Sequence, residues 1–143
     1  MRFAICVARF YEDLAERLIS GAEGVLAEAG VAASDIDTFD VPGAYELPLA
    51  AQLAAESGHY DGGVCLGAVI RGETTHYDYV CGESARGIQD VQLKTGVPCS
   101  FGVLTVNNKG QALARSDEGA KRNSGAHAAE AVLALLTIKQ RLA

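Results

Sequence analysis

Four short segments carry residue types at spacings that suit chemistry. The first is Gly67-Ala68-Val69-Ile70-Arg71-Gly72-Glu73-Thr74, with the glycine spacing of a phosphate-cradling loop, G-x-x-x-x-G-K-[ST]. Glu73 stands where that loop needs a lysine for the outer phosphates, and Val69-Ile70 reads as continuing strand. Both features argue against a nucleoside triphosphatase. What survives is Gly72-Glu73-Thr74 between a strand and a helix. Free backbone N–H groups and the Thr74 hydroxyl can hold one phosphate at a helix N-terminus. The same residues also suit a helix start with no ligand. His76 follows two residues later. An imidazole there suits proton transfer at neutral pH, although a lone histidine is more often structural. His59 and His127 have no such company and read as surface or packing residues.

The second segment is Val41-Pro42-Gly43-Ala44-Tyr45-Glu46-Leu47-Pro48. Pro42-Gly43 marks a turn after a strand. Glu46 in the first turn of the next helix either favours the helix dipole or accepts hydrogen bonds from a polyhydroxy ligand. Phe10 and Phe101 head the remaining two segments, Ala8-Arg9-Phe10 and Phe101-Gly102-Val103-Leu104-Thr105. By spacing alone both phenylalanines belong in the core.

These segments must be held at the ends of regular elements. Apolar runs of strand length occupy residues 3–8, 36–41, 63–70 and 98–106. The first, third and fourth are nearly continuous, as in parallel strands covered on both faces. The second alternates and suits an edge or a subunit boundary. Between the runs lie helical patterns. In residues 11–29, Leu14, Leu18, Ala22, Val25 and Leu26 recur at helical spacing, and Gly30 is a natural stop. Residues 45–57, 75–95 and the stretch from Ser124 onward also read as helices, and 107–115 as a short helical turn. Strand and helix alternate four times. Right-handed crossovers then predict a four-stranded parallel sheet with helices on both faces. In such a fold ligands sit beyond the carboxyl ends of the strands, which singles out Arg9-Phe10-Tyr11, Pro42-Gly43-Ala44-Tyr45-Glu46, residues 71–76 and the segment beyond Val106.

Composition narrows the possibilities. The chain has 143 residues, enough for one domain and one core without staples. Twelve Lys and Arg against 18 Asp and Glu give a net charge of −6, which disfavours a nucleic-acid surface. No run approaches the ~18 uncharged apolar residues of a membrane span. The N-terminal apolar stretch is too short for a signal peptide. Cys6, Cys65, Cys81 and Cys99 form no C-x-x-C pair, so neither zinc nor dithiol chemistry is expected. Cys6 and Cys65 lie in apolar runs and read as small core residues in a reducing cytoplasm.

The block Gly67-Ala68-Val69-Ile70-Arg71-Gly72-Glu73-Thr74-Thr75-His76-Tyr77-Asp78-Tyr79-Val80 closely resembles the signature of the 6,7-dimethyl-8-ribityllumazine synthase family. The other three segments, with the later Gln111-Ala112 and Arg115, fall in that family's order, so the resemblance covers nearly the whole chain. It implies a flavodoxin-like three-layer sandwich of the lumazine synthase type over residues 1–143. It implies an enzyme without cofactor or metal, which condenses 5-amino-6-(D-ribitylamino)uracil with 3,4-dihydroxy-2-butanone 4-phosphate and releases phosphate and water. By the same resemblance Phe10 stacks on the pyrimidine, and Ala44, Tyr45 and Glu46 contact the ring and the ribityl chain. Ala68, Val69 and Ile70 offer backbone to the pyrimidinedione edge. Glu73 (through its backbone) and Thr74 hold phosphate. His76 moves protons, and Phe101 and Arg115 come from a neighbouring subunit, with Arg115 on the phosphate.

Some positions depart from the family pattern. Tyr11 follows Phe10 where asparagine is usual, Ser124 stands where a lysine is common, and one extra residue falls within 117–123. Lys121 or Arg122 is a candidate source of the missing charge. The extra residue and the short stretch before the first strand favour a free pentamer over a 60-subunit shell. A lumazine- or flavin-binding module that has lost the chemistry is the competing expectation, and His76, Thr74 and Arg115 argue against it.

Overall fold

The structure is a computed structural model describing residues 1–143, the side chain of residue 120 excepted. Four strands, β1 (Phe3–Ala8), β2 (Ile36–Val41), β3 (Gly62–Ile70) and β4 (Cys99–Val106), form one all-parallel sheet in the order β2-β1-β3-β4. The helices are α1 (Glu12–Glu28), α2 (Leu47–Glu56), α3 (His76–Thr95), α4 (Lys109–Ala114) and α5 (Ser124–Leu142). The expected three-layer α/β architecture is therefore present. Helices α1 and α5 pack on one face through Leu14, Leu18, Leu26, Ala129 and Val132 against Phe3, Ile5, Val64 and Leu66. Helices α2 and α3 cover the other through Leu47, Ala51, Ile88 and Val91 against Cys6, Cys65 and Val103. Alternate residues of one strand thus feed two cores, as the period of two requires.

Several boundaries move from their expected places. Tyr11 is only the residue preceding α1. Residues Ala44–Glu46 form a 3-10 turn, and α2 begins at Leu47 with Pro48 in its first turn, where a missing N–H costs nothing. The fourth apolar run feeds both cores, Leu104 and Val106 on one face and Cys99 and Val103 on the other, but it is not central. β4 is the second edge of the sheet, and Phe101 and Thr105 are exposed on it. Continuous hydrophobicity cannot separate a central strand from an edge strand whose open side is also apolar. Phe10 is likewise outside the core, with 75% of its surface exposed.

Helices α1 and α5 approach each other closely at two glycines. A Cβ on Gly21 would stand 2.1 Å from Asn123 Oδ1, and one on Gly125 would stand 2.1 Å from the Leu18 carbonyl oxygen. Only glycine permits that approach. Asn123, 2% exposed, fills the contact and caps α5. Its Oδ1 accepts from Ala126 N–H at 3.0 Å, while Nδ2 donates to the Arg17 and Asp117 carbonyls at 3.1 and 3.0 Å. Truncation at this position removes a cap and strands two buried carbonyls. Asn123→Ala is expected to lower unfolding free energy by about 2–4 kcal/mol, checked by urea denaturation at unchanged m-value.

Candidate active site

The sheet sets up the cleft by a mismatch in strand length. β3 pairs with β1 only as far as Leu66, but with β4 as far as Ile70. Past Ala8 the first strand veers to β2, where Arg9 N–H donates to the Val41 carbonyl at 2.9 Å. One edge of the last turn of β3 is thereby left without a strand. Gly63 and Arg71 donate their N–H groups to the carbonyls of Pro98 and Val106, at 2.8 and 2.9 Å. Odd-numbered residues of β3 therefore turn their peptide groups toward β4, and Ala68 and Ile70 turn theirs toward the open edge. Val69 lies between them with its peptide toward β4, so it meets the cleft with its side chain, which packs with the α2–α3 core. The backbone left open in this segment is that of Ala68 and Ile70. The opening lies between β1 and β3, where the chain's order of strands reverses.

A cleft of about 620 Å³ occupies this opening. It brings together eight of the expected residues: Phe10 after β1, Ala44, Tyr45 and Glu46 after β2, Ala68, Val69 and Ile70 at the end of β3, and His76 at the start of α3. Three elements around the cleft supply exposed aromatic rings: Phe10 after β1, Tyr45 in the turn after β2 and Tyr79 in the first turns of α3. Phe10 is steadied by Tyr11, whose ring stands edge-on to it at 4.9 Å between centroids. Arg9 anchors the same loop. Its guanidinium bonds to Asp40 at 2.9 Å and to Glu12 at 3.2 Å, and also reaches Glu16. These acidic partners hold the Arg9 guanidinium even more firmly protonated than usual, Asp40 foremost.

Glu46 is held from its own turn. Gly43 N–H donates to Glu46 Oε1 at 2.9 Å, which fixes the carboxylate over the end of β2. At α3 the Thr75 side chain makes no capping bond, and Thr74 Oγ1 instead accepts from His76 N–H at 3.3 Å. Asp78 N–H is likewise engaged, on the Thr75 carbonyl at 3.0 Å, so it is the Thr74 hydroxyl that keeps its own hydrogen to donate to an anion. Glu73 and Thr74 are exposed in this loop, next to the cleft residues but not lining the cleft itself.

Phe101 and Arg115 do not reach the cleft of their own chain. Phe101, 39% exposed, borders a groove of about 270 Å³ on the outer side of β4, together with Gln89, Ala131 and Leu135. Arg115 ends α4 with its Nη1 donating to the Gln111 carbonyl at 3.1 Å. Ser124 N–H donates to the Arg115 carbonyl at 2.8 Å, so residues 116–123 form a loop closed beside Arg115, with Lys121 and Arg122 exposed upon it. His59 and His127 are exposed away from the cleft, His59 standing edge-on to Tyr60. Tyr11, Gly43, Tyr79 and Val80 line the cleft without having been given a site role from the sequence. Tyr79 could have been found, because it lies three residues after His76 and so on the same helical face.

Among the described residues no cluster of three His, Cys, Asp or Glu side chains is disposed to hold a metal ion, and no helix is long and apolar enough to cross a membrane. The profile of the 6,7-dimethyl-8-ribityllumazine synthase family matches residues 1–140. The chain is also similar to the 6,7-dimethyl-8-ribityllumazine synthase of Ruthia magnifica subsp. Calyptogena magnifica. The two are 42% identical over 146 residues, an alignment covering 99% of this chain and 87% of the relative. With cleft, sheet order and sequence in agreement along nearly its whole length, the chain belongs to the 6,7-dimethyl-8-ribityllumazine synthase family, transferases of riboflavin biosynthesis.

Proposed function

We propose that the whole chain acts as one lumazine synthase domain, in the cytoplasm. It condenses 5-amino-6-(D-ribitylamino)uracil with 3,4-dihydroxy-2-butanone 4-phosphate to 6,7-dimethyl-8-ribityllumazine, the penultimate step toward riboflavin. The observation that carries this reading is the gathering of Phe10, Glu46, His76 and the open edge of Ala68 and Ile70 around one cleft. A planar pyrimidinedione edge bonds to strand backbone much as a neighbouring strand would, through the peptide groups of Ala68 and Ile70. The side chain of Val69 packs below it and the Phe10 ring stacks upon it. Ala44 and Tyr45 flank the ribityl chain, and Glu46 accepts its hydroxyl hydrogen bonds.

The phosphate of the second substrate sits on the Glu73 backbone and the Thr74 hydroxyl at the start of α3. Its ketone then lies beside the 5-amino group. His76 moves protons as the imine forms and phosphate leaves. Orientation of two bound partners supplies most of the rate. Mixing both substrates and following lumazine absorbance tests the reading. Product formation supports it, and tight pyrimidine binding without product would make the chain a binding module instead.

Phe101 and Arg115 serve the cleft of a neighbouring copy in this reading. Two apolar edges support such an assembly. A groove of about 550 Å³ beside β2 is lined by Phe39, Leu53 and Tyr60, and the groove at Phe101 lies beside β4 at the opposite edge. Joining unlike edges is a head-to-tail contact, which closes into a ring where the rotation per copy divides a full turn. A homopentamer is the assembly we favour over sixty copies.

Three outcomes are expected. His76→Ala should fold and bind a ribitylated pyrimidine analogue, with turnover reduced roughly 10²-fold rather than abolished; undiminished turnover removes His76 from proton transfer. Arg115→Ala should raise KM for the butanone phosphate by the equivalent of about 1.5–3 kcal/mol and leave pyrimidine affinity nearly unchanged, measured by steady-state kinetics with each substrate varied. Light scattering should return a mass near five chains, and an active monomer would overturn the shared site.

A further inference from the structure

Residues 72–75 are all exposed, so the loop that bears Glu73 and Thr74 has little packing of its own. Such a segment keeps its shape through anchors at its two ends. One anchor is the bond from His76 N–H to Thr74 Oγ1. Arg71 is the other. Its guanidinium lies over the Tyr77 ring, with Cζ 4.3 Å from the centroid, and its Nε donates to Asn107 Oδ1 at 3.0 Å. Asp78 is further off, at 3.8 Å, and adds little at an exposed position. Asn107 N–H in turn donates to Gln111 Oε1 at 2.7 Å, and the Gln111 carbonyl accepts from Arg115 Nη1 at 3.1 Å. Bonded groups therefore run without a break from the loop after β3, across the loop after β4, to the Arg115 guanidinium. A planar fork stacked on a ring and bonded at its edge is directional, and a lysine does not reproduce it.

We propose that Arg71 and Asn107 are positioning residues that brace the phosphate end of the site, holding residues 72–75 in fixed relation to the helix that carries Arg115. The proposal rests on the phosphate roles given above to Thr74 and Arg115. Neither Arg71 nor Asn107 lines the cleft, so both act through the loop. In a ring of copies the same brace would set the Thr74 end of one site and the Arg115 end of the next.

Steady-state kinetics and calorimetric titration with inorganic phosphate test it on the intact assembly. Asn107→Ala should raise KM for the butanone phosphate about tenfold with kcat nearly unchanged, and should weaken inorganic phosphate by a similar factor, the loss of one orienting bond. Asn107→Asp keeps an acceptor for Arg71 and should recover most of that loss. The Arg71→Ala/Asn107→Ala double variant should be no worse than Arg71→Ala, because both remove one contact. Wild-type phosphate affinity in Asn107→Ala, or additive losses in the double variant, would overturn the brace. If the unmodified chain makes no lumazine, the functional reading fails, and the phosphate titration still decides the brace.

Discussion

The early end of the β1–β3 ladder is the constraint on which the site depends. A parallel sheet satisfies its peptide groups only while strands run side by side. β3 outruns β1 but keeps β4 beside it to Ile70, so it stays a rigid strand on one edge and an open row of peptide groups on the other. Eight of the residues with an expected site role are arranged around that open row. Phe10 arrives because β1 turns away, the Ala44–Glu46 turn because β2 ends level with β1, and His76 because α3 starts one loop after the exposed edge. Gly67 belongs to the same device: a Cβ there would stand 2.9 Å from that of Ala8, at the point where the two strands part.

The rest of the core serves to keep that edge still. Cys6 and Cys65 face each other across β1 and β3, and Cys99 lies nearby in the same core. Donation of its S–H to Cys6, together with burial, keeps the Cys65 thiol protonated, and burial pushes Cys99 up to about 12. These sulfurs are packing atoms, and none of them lines the cleft. On the far face, the glycine contacts of α1 and α5 around Asn123 draw the last helix against the sheet. The loop that follows Arg115 is closed by the same residue, since Asn123 pairs with Ser116 and bonds to Asp117. Fold stability and placement of Arg115 therefore share one buried polar group.

Much of the architecture was legible in the amino-acid order. Strand and helix periodicities, the stops at Gly30 and Gly96 and the turn at Pro42-Gly43 come from local rules, and local rules suffice for a fold whose neighbours are mostly consecutive. Residue types around Gly72-Glu73-Thr74 and His76 pointed to anion and proton chemistry for the same reason: a strand end, a free helix start and an imidazole lie within ten residues. Resemblance supplied what spacing could not, such as the assignment of Phe10 to a ligand.

Tertiary structure decided the rest, because those features depend on what lies across space. Periodicity put Phe10 and Phe101 in the core; strand order put Phe10 at a cleft mouth and Phe101 on an outer edge. The sequence makes Ala68, Val69 and Ile70 equivalent, and only pairing with β4 turns the middle peptide away from the opening. Nothing local joins Arg71 to Asn107, 36 residues apart. The sequence by itself determined which elements form and which chemistries they carry, through contacts a few residues long. Which faces and edges those elements show to a ligand was settled by strand order and register, which arise from burial summed over the whole sheet.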